Sequence, residues 1–209
     1  IKAAKDNHLA AGHEWSSILA RSARLFTASV TRGIGPARQS EPLPFARVVE
    51  LDLPDTKPLF PGGPIGTKDA TVLFTSFFTR EVEASWALLA DVTINEGAKE
   101  ISWRLPVSKT DPRAVGCTRT WGCVCEADPR TCAFHAGLRQ RRRLLDIFEG
   151  KIDMEELPFF PDEHGQHVHP DAMIRIVEEI AGMLGIPIKN AAGKNKFGKH
   201  SWRSTAAQY

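Results

Sequence analysis

Tyrosine is nearly absent from this 209-residue chain: Tyr209, the last residue, is the only one, beside three methionines and four cysteines. No stretch approaches the roughly 18 consecutive apolar residues of a membrane helix. The first residues also lack the basic-then-apolar order of a secretory signal. A protein working inside the cell, with no membrane partner, is therefore expected. There is no internal repeat and no low-complexity tract, which sets aside solenoids and fibrous assemblies. The four cysteines lie together between Cys117 and Cys132 rather than spread along the chain, a distribution that suits a metal better than a disulfide framework. The chain opens at Ile1 rather than Met and stops inside a helical pattern, so a piece of a longer protein is expected.

What remains is an ordinary globular composition, with 42% hydrophobic and 25% charged residues, long enough to bury one sizeable core with an appendage. The net charge of +2 is too small to announce a nucleic-acid partner, so its distribution has to be read instead. It is uneven. From Lys189 to Arg203 there are five Lys or Arg residues and no acid, and Arg139, Arg141, Arg142 and Arg143 form a second basic run. Between them, Leu144 to Glu163 carries seven acids against one Lys. A basic run can be a solvated helix face or a phosphate-binding surface, and both readings stay open on charge alone.

Apolar spacing predicts one long amphipathic helix over His8–Thr31, ending at Gly33. Seven prolines between Gly33 and Pro64 read as an extended connector with a short helix near Arg47–Leu51. A mostly buried helix is expected over Asp69–Phe78, capped by Thr67 or Asp69, and a second over Val82–Leu89. Two β-rich runs, Asp91–Ile94 and Ile101–Val107, flank the turn composition Asn95-Glu96-Gly97 and predict an antiparallel hairpin. Helices are expected over Ala136–Phe148, Pro170–Leu184 and Ser201–Tyr209, with Pro170 at a first helical position and Gly185 as a stop. Trp86 and Trp103 fall in apolar-periodic segments and read as core. The fold class is mainly α with one small antiparallel sheet, α+β. Its expected divisions are 1–33, a linker 34–64, and a main domain 65–209 with a Cys-rich insert at 116–136.

Four separated basic residues carry the functional reading: Arg80 in Thr-Arg-Glu-Val-Glu-Ala, Lys109 in Val-Ser-Lys-Thr-Asp, and His200 with Arg203 in His-Ser-Trp-Arg. Attack on a phosphodiester needs extra negative charge stabilised on the non-bridging oxygens and a proton delivered to the departing oxygen. Guanidinium forks suit the first task and a lysine the second, while a histidine titrating near neutrality can assist. Each residue also has a plainer reading. Arg80 can form an i,i+3 ion pair with Glu83, Lys109 can be an exposed turn lysine, and His200 can merely start a helix.

In order and context the four motifs resemble the tyrosine recombinases, the phage-integrase family, from about Gly62 to Tyr209. The resemblance implies a catalytic domain that cuts and rejoins DNA through a phosphotyrosine intermediate, serving DNA integration and recombination by a mobile genetic element. Arg80 would be the first catalytic arginine, Glu83 its structural partner, and Asp91 the start of the sheet. Lys109 would be the hairpin lysine, and His200 and Arg203 the His-x-x-Arg helix. The segment 1–33 would be the last helix of an N-terminal core-binding domain. Double-stranded DNA is the implied partner, a tetramer on two duplexes the implied assembly, and the nucleus the implied place if the source is eukaryotic. The family requires no cofactor. Its next His or Trp motif and the nucleophilic Tyr have no counterpart within these residues, so this chain as it stands is expected not to cleave DNA. A DNA-binding remnant without catalysis is the alternative.

The cysteine stretch is separate from that resemblance. Cys117, Cys123, Cys125 and Cys132, with His135 three positions on, are candidate ligands for a structural zinc ion. Cys123-x-Cys125 is tighter than the usual knuckle, and the favoured set is Cys117, one of Cys123 and Cys125, Cys132 and His135. A zinc-dependent interaction module and a reduced, metal-free loop are the competing readings. His164, His167 and His169 form a second histidine group, read as an exposed loop.

Overall fold

A computed structural model describes residues 2–31, 40–105 and 116–209. Two compact units divide the chain, 1–38 and 39–209. The first holds α1 (Lys2–Ala10) and α2 (Ser17–Thr31), so the single long helix expected there is two. Gly12 adopts a left-handed conformation (φ 80°), and Ser16 accepts the Leu19 amide at 3.2 Å, which restarts the helix after the break. α1 buries no residue, and Ile18, Leu25 and Phe26 of α2 are largely exposed.

The second unit confirms the α+β class. It contains α3 (Phe45–Val48), α4 (Thr67–Ser76), α5 (Glu81–Ser85), β1 (Val92–Asn95), β2 (Glu100–Leu105), β3 (Cys117–Gly122), α6 (Ala133–Phe148), α7 (Pro170–Met183) and α8 (Ser201–Ala206). The three strands form one antiparallel sheet in the order β1-β2-β3. The predicted hairpin is β1 and β2, with Val92 opposite Trp103 and Asn95 opposite Glu100. β3 was not foreseen, because its exposure pattern leaves no buried alternation to read.

α4 is the axis of the core. Eight of its ten residues are buried, and it packs against α6 on one side and α8 on the other. Its Phe74 meets Phe160 and Trp202 edge-on at 4.7 and 5.5 Å, and Phe77 meets Trp103 at 5.4 Å. Each such aromatic contributes about 1.5–3 kcal/mol of burial. α6 crosses the sheet at Gly137, where a Cβ would collide with Ile101. The 40–64 segment is not a free linker: Leu43, Phe45, Val48, Val49, Leu53 and Phe60 are all buried in this core. Its prolines suppress periodicity without preventing burial, which is why composition alone read it as a connector.

Neither Thr67 nor Asp69 caps α4. Gly66 occupies the N-cap position in a left-handed conformation (φ 69°), with Gln140 and Arg143 where a Cβ would sit. Asp69 instead receives Arg139 at 2.6 Å and Arg143 at 2.8 Å, its side chain 2% exposed and that of Arg143 5%. Arg143 also binds Asp55 and Gln140, and Gln140 donates to the Phe159 carbonyl at 2.7 Å. Arg143 is thus an internal brace, and Arg139, half exposed, leans on the same buried acid. Removing one partner of such a pair strands a buried charge. Asp69→Ala is therefore expected to cost about 3–5 kcal/mol of stability, read as a shift of the urea unfolding midpoint; a loss near zero would show that Arg143 is braced by Asp55 alone.

Candidate functional site

Thr79-Arg80 lies between α4 and α5, where the chain turns sharply. Phe78 takes a left-handed backbone (φ 51°), a conformation that costs a non-glycine residue on the order of 1–3 kcal/mol. Its carbonyl accepts Nε of Arg203 at 2.8 Å. Arg80 follows in extended conformation as the N-cap of α5, and its amide donates to Oε2 of Glu83 at 2.9 Å. This is the returning half of a capping box.

Glu83 then gathers both expected arginines. Nη1 of Arg80 lies 3.5 Å from Oε1, and Nη2 of Arg203 donates to Oε1 and Oε2 at 3.2 and 3.3 Å. The carboxylate side chain is 3% exposed, that of Arg80 17% and that of Arg203 29%. Guanidiniums from two segments 120 or more positions apart in sequence therefore converge on one buried acid. Among the described residues Nη1 of Arg203 has no partner, so this fork keeps donors for an incoming anion.

His200 is the N-cap of α8 and exposed. It immediately precedes Ser201, the first residue of α8, three positions before Arg203. The position of α8 follows from burial: Trp202 is 2% exposed and donates to the Met173 carbonyl, and Thr205 accepts the Leu43 amide at 2.9 Å. Lys109 lies outside the described residues; β2 before it ends at Leu105 and β3 after it begins at Cys117. Asp91 immediately precedes β1, accepting the Leu88 amide and Arg104 at 3.2 and 2.8 Å.

The structure adds a cation that the motifs did not reveal. Arg119, on β3, donates to the carbonyls of Phe77 and Phe78, the latter being the group that Arg203 also uses. No spacing rule could have found it, since its position depends on a strand that the sequence pattern left hidden. Two other readings change. Trp86 is 59% exposed and meets His167 at a tilt, with centroids 4.9 Å apart, whereas Trp103 is fully buried. The helix expected over Ser201–Tyr209 ends at Ala206, and Tyr209, 65% exposed, packs edge-on against Phe45 beyond it. His164 and His169 are exposed, as is His167, whose Nδ1 contacts the Ser85 carbonyl at 3.0 Å.

The cysteines divide differently from the favoured set. Cys117 opens β3 opposite Leu105 and is exposed, and the extended strand carries it about 17 Å from the other end at Gly122. It does not belong with the rest. Cys123, Cys125, Cys132 and His135 do come together. Burial pushes the Cys125 thiol up to about 12, reinforced by Cys123 and Cys132. At Cys132 burial acts in the same direction but is outweighed by the backbone and ring of His135 and the backbone of Val124, which bring it down to about 6.

No family model matches the chain, and no curated protein matches it. Among solved structures it is similar to a crystal structure of the XerH site-specific recombinase bound to difH substrate, a pre-cleavage complex. The identity is 17% and the TM-score 0.43, over 68% of this chain and 34% of that one. The match thus spans about a third of that chain's length.

Proposed function

We propose that the chain is part of a DNA strand-transferase of the tyrosine-recombinase type, working in site-specific recombination or integration of a mobile element. The observation that carries this reading is the convergence of Arg80 and Arg203 on Glu83. On an isolated helix an Arg-x-x-Glu pair needs no second arginine. A carboxylate shared by two guanidiniums from distant segments fixes the two forks beside one another before any phosphate arrives.

In the proposed reaction Arg80 and Arg203 hold the non-bridging oxygens of the scissile phosphate. A tyrosine hydroxyl attacks phosphorus and releases its proton to His200 or to water, the new P–O bond forms as the bond to the 5′ oxygen breaks, and Lys109 delivers the proton that the departing oxygen takes up. His200 assists at the nucleophile or the phosphate. Tyr209 is not assigned the attack, since it packs on Phe45 at the end of α8. The attacking tyrosine is not assigned to any residue between Ile1 and Tyr209. Double-stranded DNA is the substrate, within the cell and in the nucleus of a eukaryotic host, with a tetramer on two duplexes as the working assembly.

Trapping of the covalent protein–DNA complex, in a chain extended past Tyr209, tests this. Arg80→Ala and Arg203→Ala should each reduce trapping by about 10²–10³-fold. Arg203→Lys should restore little, because a point charge cannot replace the fork, and Tyr209→Phe should cleave normally. Undiminished cleavage in both alanine variants would sink the reading.

The role of Glu83 as a shared anchor is tested without DNA. Glu83→Ala should cost about 2 kcal/mol in urea unfolding, the value of charge-assisted hydrogen bonds lost at a mostly buried group. Arg203→Ala should then cost at least about 1 kcal/mol less in the Glu83→Ala background than in the original chain, as expected for directly coupled residues. Strict additivity would mean that the two do not interact.

A further inference from the structure

We propose that Cys123, Cys125, Cys132 and His135 bind one zinc ion in a closed, structural site. Their ligand atoms all lie within 4.8 Å of one another. With Zn–S near 2.3 Å and Zn–N near 2.0–2.1 Å, tetrahedral coordination places two thiolate sulfurs about 3.7 Å apart and a sulfur and a nitrogen about 3.6 Å apart. Sγ of Cys132 is 3.7 Å from Sγ of Cys123, and Nδ1 of His135 lies 3.7 Å from Cys123 and 3.4 Å from Cys132. The Cys125 edge, at 2.9 Å to Nδ1, is the one that must lengthen. The Cys123–Cys132 sulfur separation is far from the roughly 2.05 Å of a disulfide.

Three thiolates and an imidazole select a borderline-soft ion, and zinc has no geometric preference that such a set would violate. Four protein ligands fill the tetrahedron and leave no open position, so the ion's work is structural rather than hydrolytic.

The placement explains what the ion would hold. Cys123 and Cys125 follow β3 directly, Cys132 is the N-cap of α6, and His135 lies in that helix's first turn. The connecting residues have little core of their own: Val124 is exposed, and Asp128 caps a 3-10 turn by accepting the Arg130 amide at 2.9 Å. A metal would therefore clamp the end of β3 to the start of α6 where apolar burial is thin. The Cys123-x-Cys125 spacing, tight for a knuckle, is workable because the other two ligands arrive from a helix start.

Metal analysis of the full chain, purified without chelator, should find about one zinc per molecule. Cobalt replacement should give the visible bands of tetrahedral thiolate coordination. Cys125→Ser and His135→Ala should lose the metal, whereas Cys117→Ser should keep it and His135→Cys should retain zinc while shifting the cobalt spectrum. The last two variants keep the test decisive if the others do not fold. Absence of zinc together with absence of tetrahedral cobalt bands would overturn the proposal, as would loss of metal in Cys117→Ser with retention in Cys125→Ser.

Discussion

The two-armed grip on Glu83 is the interaction on which the site depends. Its carboxylate caps α5 through the Arg80 amide and receives two guanidiniums, so one buried group sets the start of a helix and the spacing of two cations. Burying a charge is costly unless it is paired and hydrogen-bonded, and here it is both. The left-handed turn at Phe78 belongs to the same arrangement. Its carbonyl fixes Nε of Arg203, so the arginine is held at two points, and among the described residues Nη1 has no partner. α8 supplies Arg203 from a helix of only six residues, too short to be stable alone. Trp202 and Thr205 hold it against α7 and the 40–64 segment.

A second buried carboxylate, Asp69, does for the frame what Glu83 does for the site. It ties α4 to α6 through Arg139 and Arg143, and Arg143 extends the tie to Asp55. The consequence reaches back to the charge distribution. Arg143 is committed inside the fold, Arg139 is half exposed but paired to Asp69 and Arg142 faces Glu96, so part of this run's charge is spent within the protein while Arg141 stays exposed. The exposed lysines at 189, 194 and 199 remain, near the start of α8. Charge counted along a sequence overstates what a surface offers whenever arginines are used as braces.

The α+β class, the β1–β2 hairpin and helices α6 and α7 were legible because each follows a local rule: a turn composition between β-rich runs, a helical period, a proline at a first turn and a glycine at a stop. The break near Gly12 was missed because apolar spacing continues across it. The burial of residues 43–60 was missed because prolines erase periodicity while their neighbours still reach the core. Arg80 and Arg203 could be proposed as partners from motif order, but Glu83 as their common anchor, Arg119 beside them and the exclusion of Cys117 from the sulfur cluster all depend on three-dimensional placement. Strand β3 decides two of these. Its extended backbone carries Cys117 away from Cys123 and delivers Arg119 to the Phe77 and Phe78 carbonyls.

On the proposed chemistry, a carboxylate between two phosphate-gripping arginines looks self-defeating, since it cancels charge that the substrate needs. The balance of the neighbourhood resolves this. Among the described residues, Arg80, Arg119, Arg203 and Lys199 supply four positive charges around α5, against Glu83 and Glu81, the latter 4.0 Å from Lys199. A positive surplus remains before Lys109 is counted. A phosphodiester carries one negative charge at rest and approaches two under in-line attack, so such a surplus favours the transition state more than bound DNA. Interactions that strengthen only as charge develops raise the rate without merely tightening ground-state binding. Donors already fixed by Glu83 and the Phe78 carbonyl need no reorganisation when that charge appears. The acid thus gives up some attraction for DNA in exchange for cations that are already in place.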